Sequence, residues 1–197
     1  MRWWALAVAA PLSLAGADPT PAMSLSESGD RVTLVGSIVP GDGEAFARFL
    51  AGPHARLLRV VYLDSGGGKV LEGIAIGRAI RRAGLVTAVD AQAARCDSAC
   101  TLIFAGGVRR HYIHGEDVYE GMSGRSGLGF HTAHRPGSRT EATTLNAHGT
   151  ENMRRFYAEM GQPGAATLVD KAAFNTLYRP SGSTALGLGI ATSLQAP

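Results

Sequence analysis

The feature that most restricts the fold is an order of strand, turn, helix and strand in the middle of the chain. Residues 57–63 form a near-continuous apolar run, which is typical of a parallel strand buried on both faces. Residues 69–83 carry apolar side chains at helical spacing and end at Gly84, and residues 86–89 again have strand character. This alternation predicts an α/β fold with a mostly parallel sheet, flanking helices and right-handed crossovers.

The N-terminus has the features of a targeting signal. A positive charge at Arg2 precedes an apolar stretch at residues 3–14, and residues 15–17 offer a small-x-small cleavage site. The apolar stretch is shorter than the roughly 20 residues that span a bilayer. We therefore expect residues 1–17 to be a signal peptide and the protein to be periplasmic or secreted, with an uncleaved N-terminal membrane anchor as the alternative.

The rest of the 197-residue chain is long enough for one domain with its own core. Residues 18–30 are rich in Pro, Ser and Asp and predict a linker, so the domain is expected at residues 31–197. Residues 111–127 are polar and contain glycine, which predicts an excursion from the sheet. The net charge is only +3 and the arginines occur in scattered pairs, so we do not expect a nucleic-acid partner.

Three glycines, Gly66, Gly67 and Gly68, join the predicted buried strand to the amphipathic helix. Glycine allows the backbone to turn sharply and to approach a ligand closely. A phosphate-binding loop is excluded, because Leu63 and Val70 occupy positions that a Walker A motif needs as Gly and as Ser or Thr. The turn is therefore either an oxyanion-binding loop, with N–H groups directed at a carbonyl oxygen, or a tight strand-to-helix connection.

Ser98 lies between small residues where a second helix is expected to begin. A serine in that place most often caps the helix. A helix start also presents free N–H groups that favour a developing negative charge, and the amide of Ala99 would point the same way as those of the glycine turn. Ser98 is therefore a candidate nucleophile, provided that a base lies beside it.

The chain has two cysteines, Cys96 and Cys100, one on each side of Ser98. In an oxidising compartment they can form a disulfide, since a break in the chain before Ser98 would bring them within bonding distance. The alternative is a pair of small buried side chains. A zinc site is not expected, because a second ligand pair at the usual spacing is missing.

His131 is the best candidate base, because it follows an apolar strand end at the open edge of the predicted sheet. Lys69 is the alternative, in a Ser–Lys dyad, because a buried lysine can be neutral near pH 7. Its position at a helix start opposes the helix dipole, which argues against this role. For the group that orients the histidine, the chain offers Asp170 or Asn175.

Two pairs of histidines have a spacing that invites a metal interpretation, His111 with His114 and His131 with His134. Neither pair has acidic residues at metal-ligand spacing beside it. We therefore expect no metal and no other cofactor.

Four segments in this order resemble the proteolytic subunit of Clp protease, within the Clp/crotonase superfamily. They are residues 62–70, 96–100, 129–131 and 181–192. The resemblance covers about residues 31–192, and the Cys-x-Ser-Ala-Cys run is also similar to a group of exported members. It implies a single Clp/crotonase-like α/β domain and, because family members commonly form rings, a homo-oligomer.

The resemblance also assigns roles to residues. It implies that Ser98 is the nucleophile, that His131 is the general base, and that the amides of Ala99 and of Gly67 or Gly68 form the oxyanion hole. Clp-type peptidases work with an ATP-driven unfoldase, and an exported protein lacks that ATP supply. We therefore expect an ATP-independent serine peptidase-like hydrolase that acts on peptides or small unfolded proteins.

The sequence departs from the family in three places. Residues 108–126 look like an insertion, and residues 175–178 offer no acid where the family has one. Thr184 stands where the closing segment usually has Glu. These departures keep a catalytically inactive Clp/crotonase-fold binding module as the main alternative, with a membrane-associated Ser–Lys peptidase similar to signal peptide peptidases as a further one.

Overall fold

A computed structural model describes residues 22–121, 124–137 and 142–197, so the predicted signal peptide at 1–17 lies outside the described residues. The strands are β1 (Ser24–Ser28), β2 (Arg31–Val35), β3 (Val60–Asp64), β4 (Val86–Asp90), β5 (Arg95–Asp97), β6 (Arg110–Ile113), β7 (Gly127–Gly129), β8 (His134–Arg135) and β9 (Thr144–Leu145). The helices are α1 (Asp42–Leu50), α2 (Val70–Arg82), α3 (Ala99–Ala105), α4 (Ala147–Glu159), α5 (Pro163–Val169) and α6 (Gly182–Gly187).

The main sheet has the strand order β1-β2-β3-β4-β6. β1 is antiparallel to β2, and β2, β3, β4 and β6 are parallel to one another. The predicted strand, turn, helix and strand are β3, the glycine turn, α2 and β4. The mixed α/β fold with a mostly parallel sheet and flanking helices, predicted from the sequence, is therefore confirmed.

A second, two-stranded parallel sheet formed by β5 and β7 begins where β3 ends. The backbone of Ser65 donates a hydrogen bond to the carbonyl of Arg95 (2.7 Å) and accepts one from the amide of Asp97 (3.0 Å). β5 therefore runs beside the chain that leaves β3. This pairing brings the glycine turn at residues 66–68 next to Ser98.

Helices α2 and α3 pack closely because glycines face the contact. A Cβ atom on Gly73 would lie 2.6 Å from the carbonyl oxygen of Ala99, and one on Gly77 would lie 2.6 Å from that of Leu102. Neither distance leaves room for a side chain. The start of α3, which follows Ser98, is thus held against α2.

Two sequence predictions of irregular structure differ from the fold. Strand β1 lies inside the predicted linker at 18–30; as a polar edge strand with mostly exposed residues, it lacks the alternation that marks a half-buried strand. Strand β6 (Arg110–Ile113) overlaps the start of the predicted excursion at 111–127, so that prediction was wrong for residues 111–113. It is buried although it begins with Arg110 and His111.

The polar side chains of β6 are accommodated by carbonyl groups. The Arg110 guanidinium donates hydrogen bonds to the carbonyls of Gly107, Gly189 and Ile190, and His111 Nδ1 donates to the carbonyl of Gln195 at 2.6 Å. Hydrogen bonds of this kind offset much of the cost of burying these side chains, although Nε2 of His111 has no partner among the described residues. No helix within the described ranges is both long and apolar enough to cross a membrane.

Candidate active site

Ser98 occupies a sharp turn between β5 and α3 and has an unusual backbone conformation. Its φ is 55° and its ψ is −122°, so it is a non-glycine residue with positive φ. Such a conformation costs about 1–3 kcal/mol and persists only where its surroundings enforce it. A strained strand-to-helix turn of this kind presents a serine hydroxyl at the top of a sheet in hydrolases with a nucleophile elbow.

The hydroxyl of Ser98 does not cap the helix that it precedes. Within the described part of the chain no hydrogen bond to this hydroxyl is formed, whereas the Ser98 amide donates to the carbonyl of Gly129 at 2.8 Å. The capping interpretation of Ser98 therefore does not apply. The side chain instead lines a cavity of about 620 Å³ together with the glycine turn and His131.

The glycine turn places one free amide beside this serine. The Gly67 amide donates to the Ser65 hydroxyl at 3.1 Å, and the Gly67 carbonyl accepts from Ile38 at 2.9 Å. A Cβ atom on Gly67 would be 2.8 Å from the Ser98 Cβ and 3.2 Å from the Ala99 nitrogen, so only glycine fits there. The amides of Gly68 and Ala99 have no acceptor among the described residues and remain as donors for an oxyanion.

His131 follows β7 and is buried, with only 6% of its surface exposed. It lines the cavity of Ser98 and also a second cavity of about 730 Å³ on its other side. Nδ1 of the ring is enclosed and has no hydrogen-bond partner among the described residues. The ring centroid lies 5.6 Å from that of His134.

The environment of His131 favours its neutral form. Burial lowers the pKa of the imidazole below its usual 6.5, and the positive charge that His134 can carry lowers it further, while the nearby backbone of Phe174 acts in the opposite direction. A neutral imidazole is the form that accepts a proton from a hydroxyl. The site therefore holds its histidine ready to act as a base at neutral pH.

Neither candidate for the orienting group forms a hydrogen bond with the His131 ring. Asp170 pairs with Arg154 through two contacts of 2.5 and 3.2 Å, so both of its carboxylate oxygens are engaged by that arginine. Asn175 lines the second cavity together with His131 but forms no hydrogen bond with it. Among the residues that the structure describes, no acid, histidine and serine are therefore joined in one hydrogen-bonded chain.

The other sequence candidates are also located. Lys69 lines the cavity of Ser98 from the residue before α2. His111 and His114 do not converge, since His111 bonds the Gln195 carbonyl and His114 bonds Asp90. Over the described ranges no group of three or more His, Cys, Asp or Glu side chains is placed to hold a metal ion.

Cys96 and Cys100 are joined by a disulfide that encloses Ser98. Their Cα atoms are 5.0 Å apart, and both side chains are fully buried. Cys96 belongs to β5 and Cys100 to the first turn of α3. The bridge therefore ties together the two elements between which the strained serine is held.

Sequence reasoning missed Arg179, which has the largest fully buried side chain among the described residues. Its guanidinium lies 2.9 Å from the carboxylate of Asp97 and also donates to the carbonyls of Gly124 and Gly127. The pKa of Asp97 is raised because burial outweighs the attraction of Arg179. This pair holds Asp97, the residue that directly precedes Ser98. Arg179 could not be identified from the sequence, because a single arginine in a polar segment does not indicate a buried ion pair.

The fold is similar to that of known structures. A Ser-to-Ala mutant of the 1510-N membrane-bound stomatin-specific protease matches with a TM-score of 0.58 and 16% identity, over 83% of this chain and 76% of that one. A Lys-to-Ala mutant of the same protease in complex with a substrate peptide matches with a TM-score of 0.55 and 14% identity, over 83% and 72%. These similarities show that the chain has a Clp/crotonase-like fold. No family model matches the sequence, and a comparison with curated proteins finds no match either.

Proposed function

We propose that the protein is a serine peptidase-like hydrolase in which Ser98 is the nucleophile and His131 the general base. The observation that carries the proposal is the backbone of Ser98, whose φ of 55° holds a hydroxyl with no partner among the described residues in the cavity that His131 also lines. Strain of this kind is retained at sites of function. The similar structures support a peptide as substrate, because one of them is a protease solved with a substrate peptide.

The reaction begins when a substrate carbonyl enters the cavity beside Ser98. His131 removes the hydroxyl proton as the oxygen attacks the carbonyl carbon, and the free amides of Gly68 and Ala99 donate hydrogen bonds to the oxyanion that forms. The protonated histidine then donates its proton to the leaving amine. Water attacks the acyl-enzyme in the same way, and the acid product leaves with Ser98 restored.

The protein is proposed to be exported and to work without ATP. The charged and apolar N-terminal residues 2–14 support export. The disulfide between Cys96 and Cys100 also supports it, because such bonds persist in oxidising compartments. A substrate outside the cytoplasm would be a peptide or a small unfolded protein, and the enzyme is proposed to form a homo-oligomer.

Hydrolysis of unstructured peptides by the purified mature protein tests the proposal, with no nucleotide added. Ser98→Ala should abolish the activity. Ser37→Ala is the matched control, because Ser37 lines the same cavity and should be dispensable. Activity that survives Ser98→Ala would exclude this nucleophile.

The alternative is a binding module that uses the same cavity without catalysis. It is favoured by one observation, namely that Asp170 is paired with Arg154 and that no carboxylate among the described residues forms a hydrogen bond with His131. Loss of the orienting acid costs about four orders of magnitude in rate in enzymes that have one. Peptide binding by the wild-type protein, with no turnover and no acylation of Ser98, would support this alternative.

A further inference from the structure

The cavity around Ser98 has an unbalanced set of charged side chains. Lys69 and Arg135 line it, both are exposed, and neither has an ion-pair partner among the described residues. Glu72 is the one carboxylate among the described residues that line it. The charges of the two cations are therefore available to a bound molecule.

Glu72 does not neutralise this charge by pairing. Its Oε2 accepts a hydrogen bond from the amide of Gly43 at 2.8 Å, which directs that oxygen toward α1. The imidazoles of His134 and His148 also line the cavity and add no negative charge to it. A cleft lined with charges of one sign attracts and orients a ligand of the opposite sign.

We propose that this cavity recognises a substrate by a carboxylate close to the reacting bond, bound by Lys69 and Arg135. The guanidinium of Arg135 can bind both oxygens of a carboxylate, and the ammonium of Lys69 adds a point charge. The carboxylate is either an acidic side chain of the peptide or its free C-terminus. The proposal rests on the proposed function only in taking this cavity as the place where the substrate binds.

Peptide binding to the Ser98→Ala protein tests this without depending on turnover. Two pairs of labelled peptides are compared by fluorescence anisotropy at low salt. The members of one pair differ only in Glu against Gln, and those of the other in a free against an amidated C-terminus. We expect the peptide with the carboxylate to bind roughly tenfold more tightly in at least one pair, and that pair identifies the source of the carboxylate.

Substitutions in the same background locate the preference. Arg135→Gln and Lys69→Gln should each reduce it, and the two together should abolish it. Arg82→Gln is the matched control, because Arg82 carries the same charge at the far end of α2 and does not line the cavity. Raising the ionic strength should weaken the preference in proteins that retain both cations.

Equal binding within both pairs overturns the proposal, as does a preference that survives the double substitution or no binding of any peptide. Circular dichroism of the double variant confirms that it is folded. The binding preference could depend on Lys69 and Arg135 while the wild-type protein is never acylated at Ser98. That result would contradict the proposed hydrolase function but would support carboxylate recognition. Hydrolysis of peptides with no preference for a carboxylate would support the hydrolase function and contradict carboxylate recognition.

Discussion

The guanidinium of Arg179 lies 2.9 Å from the carboxylate of Asp97, and both side chains are buried. The pair links the segment that precedes α6 to the last residue of β5, directly before Ser98. A buried charge that loses its partner is costly, whereas an exposed pair contributes little. The residue directly before the serine is therefore held by a side chain that lies far away in the sequence.

Removal of this guanidinium should destabilise the protein and disturb the site. Arg179→Met leaves Asp97 buried without a partner, so we expect a loss of about 3–5 kcal/mol in the free energy of unfolding by urea. Arg154→Met is the control, since it breaks the exposed pair with Asp170 and should cost less than about 1 kcal/mol. Equal losses in the two variants would contradict the structural role of the buried pair.

The activity should fall at acidic pH in a way that reports the His131 pKa. Its pKa is lowered by burial and by His134, so the imidazole stays neutral and able to accept a proton down to a pH below 6.5. The rate of acylation measured against pH should lose activity only below about 6.5. His134→Gln removes a repulsive charge and should move this fall in acylation rate to higher pH. A wild-type rate that already falls above pH 6.5 would contradict the proposed environment of His131.

The disulfide should support the geometry of Ser98. Replacing Cys96 and Cys100 by Ala opens a short loop, for which chain entropy gives about 2 kcal/mol of lost stability. We also expect slower acylation of Ser98 in the folded variant, because β5 and the start of α3 are no longer tied together. Acylation at the wild-type rate would show that the bridge does not position the serine.

Reduction of the bridge provides an independent test. The chain has two cysteines, both in this disulfide, so any effect of a reductant on acylation must pass through it. The variant that lacks both should be insensitive to the reductant. Reduction should be slow while the protein is folded, because neither sulfur is accessible.

The two candidates for the orienting group should behave differently. Asp170→Asn should leave acylation within about twofold of wild type, because Asp170 contacts Arg154 on the surface. Asn175→Asp places a carboxylate in the cavity that His131 lines. The added carboxylate should raise the His131 pKa and increase the rate of acylation by about tenfold. This gain is smaller than the roughly four orders of magnitude that a complete triad provides.

The same series of substitutions at Asp170 and Asn175 includes a control variant and two results that would contradict the prediction. Asn175→Ala removes the amide without adding charge and should not accelerate acylation. An acceleration equal to that of Asn175→Asp would show that charge is not the cause. A strong loss in Asp170→Asn would restore this residue as the orienting acid.

The sequence was sufficient to predict the α/β fold. Residues 57–89 pass from an apolar strand run to apolar residues at helical spacing and back to a strand run, with glycine between these elements. Local signals also led to Gly67, Gly68, Ser98 and His131, which line one cavity. The elements that could not be predicted from the sequence are those stabilised by residues distant in the chain. β6 begins with Arg110, whose guanidinium is bound by carbonyls about 80 residues later.

The Asp97–Arg179 pair shows the same limit within the site. An aspartate before a candidate nucleophile looks like a helix cap, and an arginine before a proline looks like a surface residue. Only the fold brings them together. Asp170 shows the converse, since its type suited the orienting role but its position at the end of α5 directs it to Arg154.

The proposed hydrolysis depends on Ser98 acting as a nucleophile that His131 activates. The most direct measurement is the site and rate of reaction with a fluorophosphonate, read by intact mass and by peptide mapping of the mature protein. We predict a single adduct on Ser98, absent from Ser98→Ala, unchanged in Ser37→Ala, and much slower in His131→Ala but not in Lys69→Ala. No adduct on Ser98, or an adduct that forms without His131 but requires Lys69, would contradict the account.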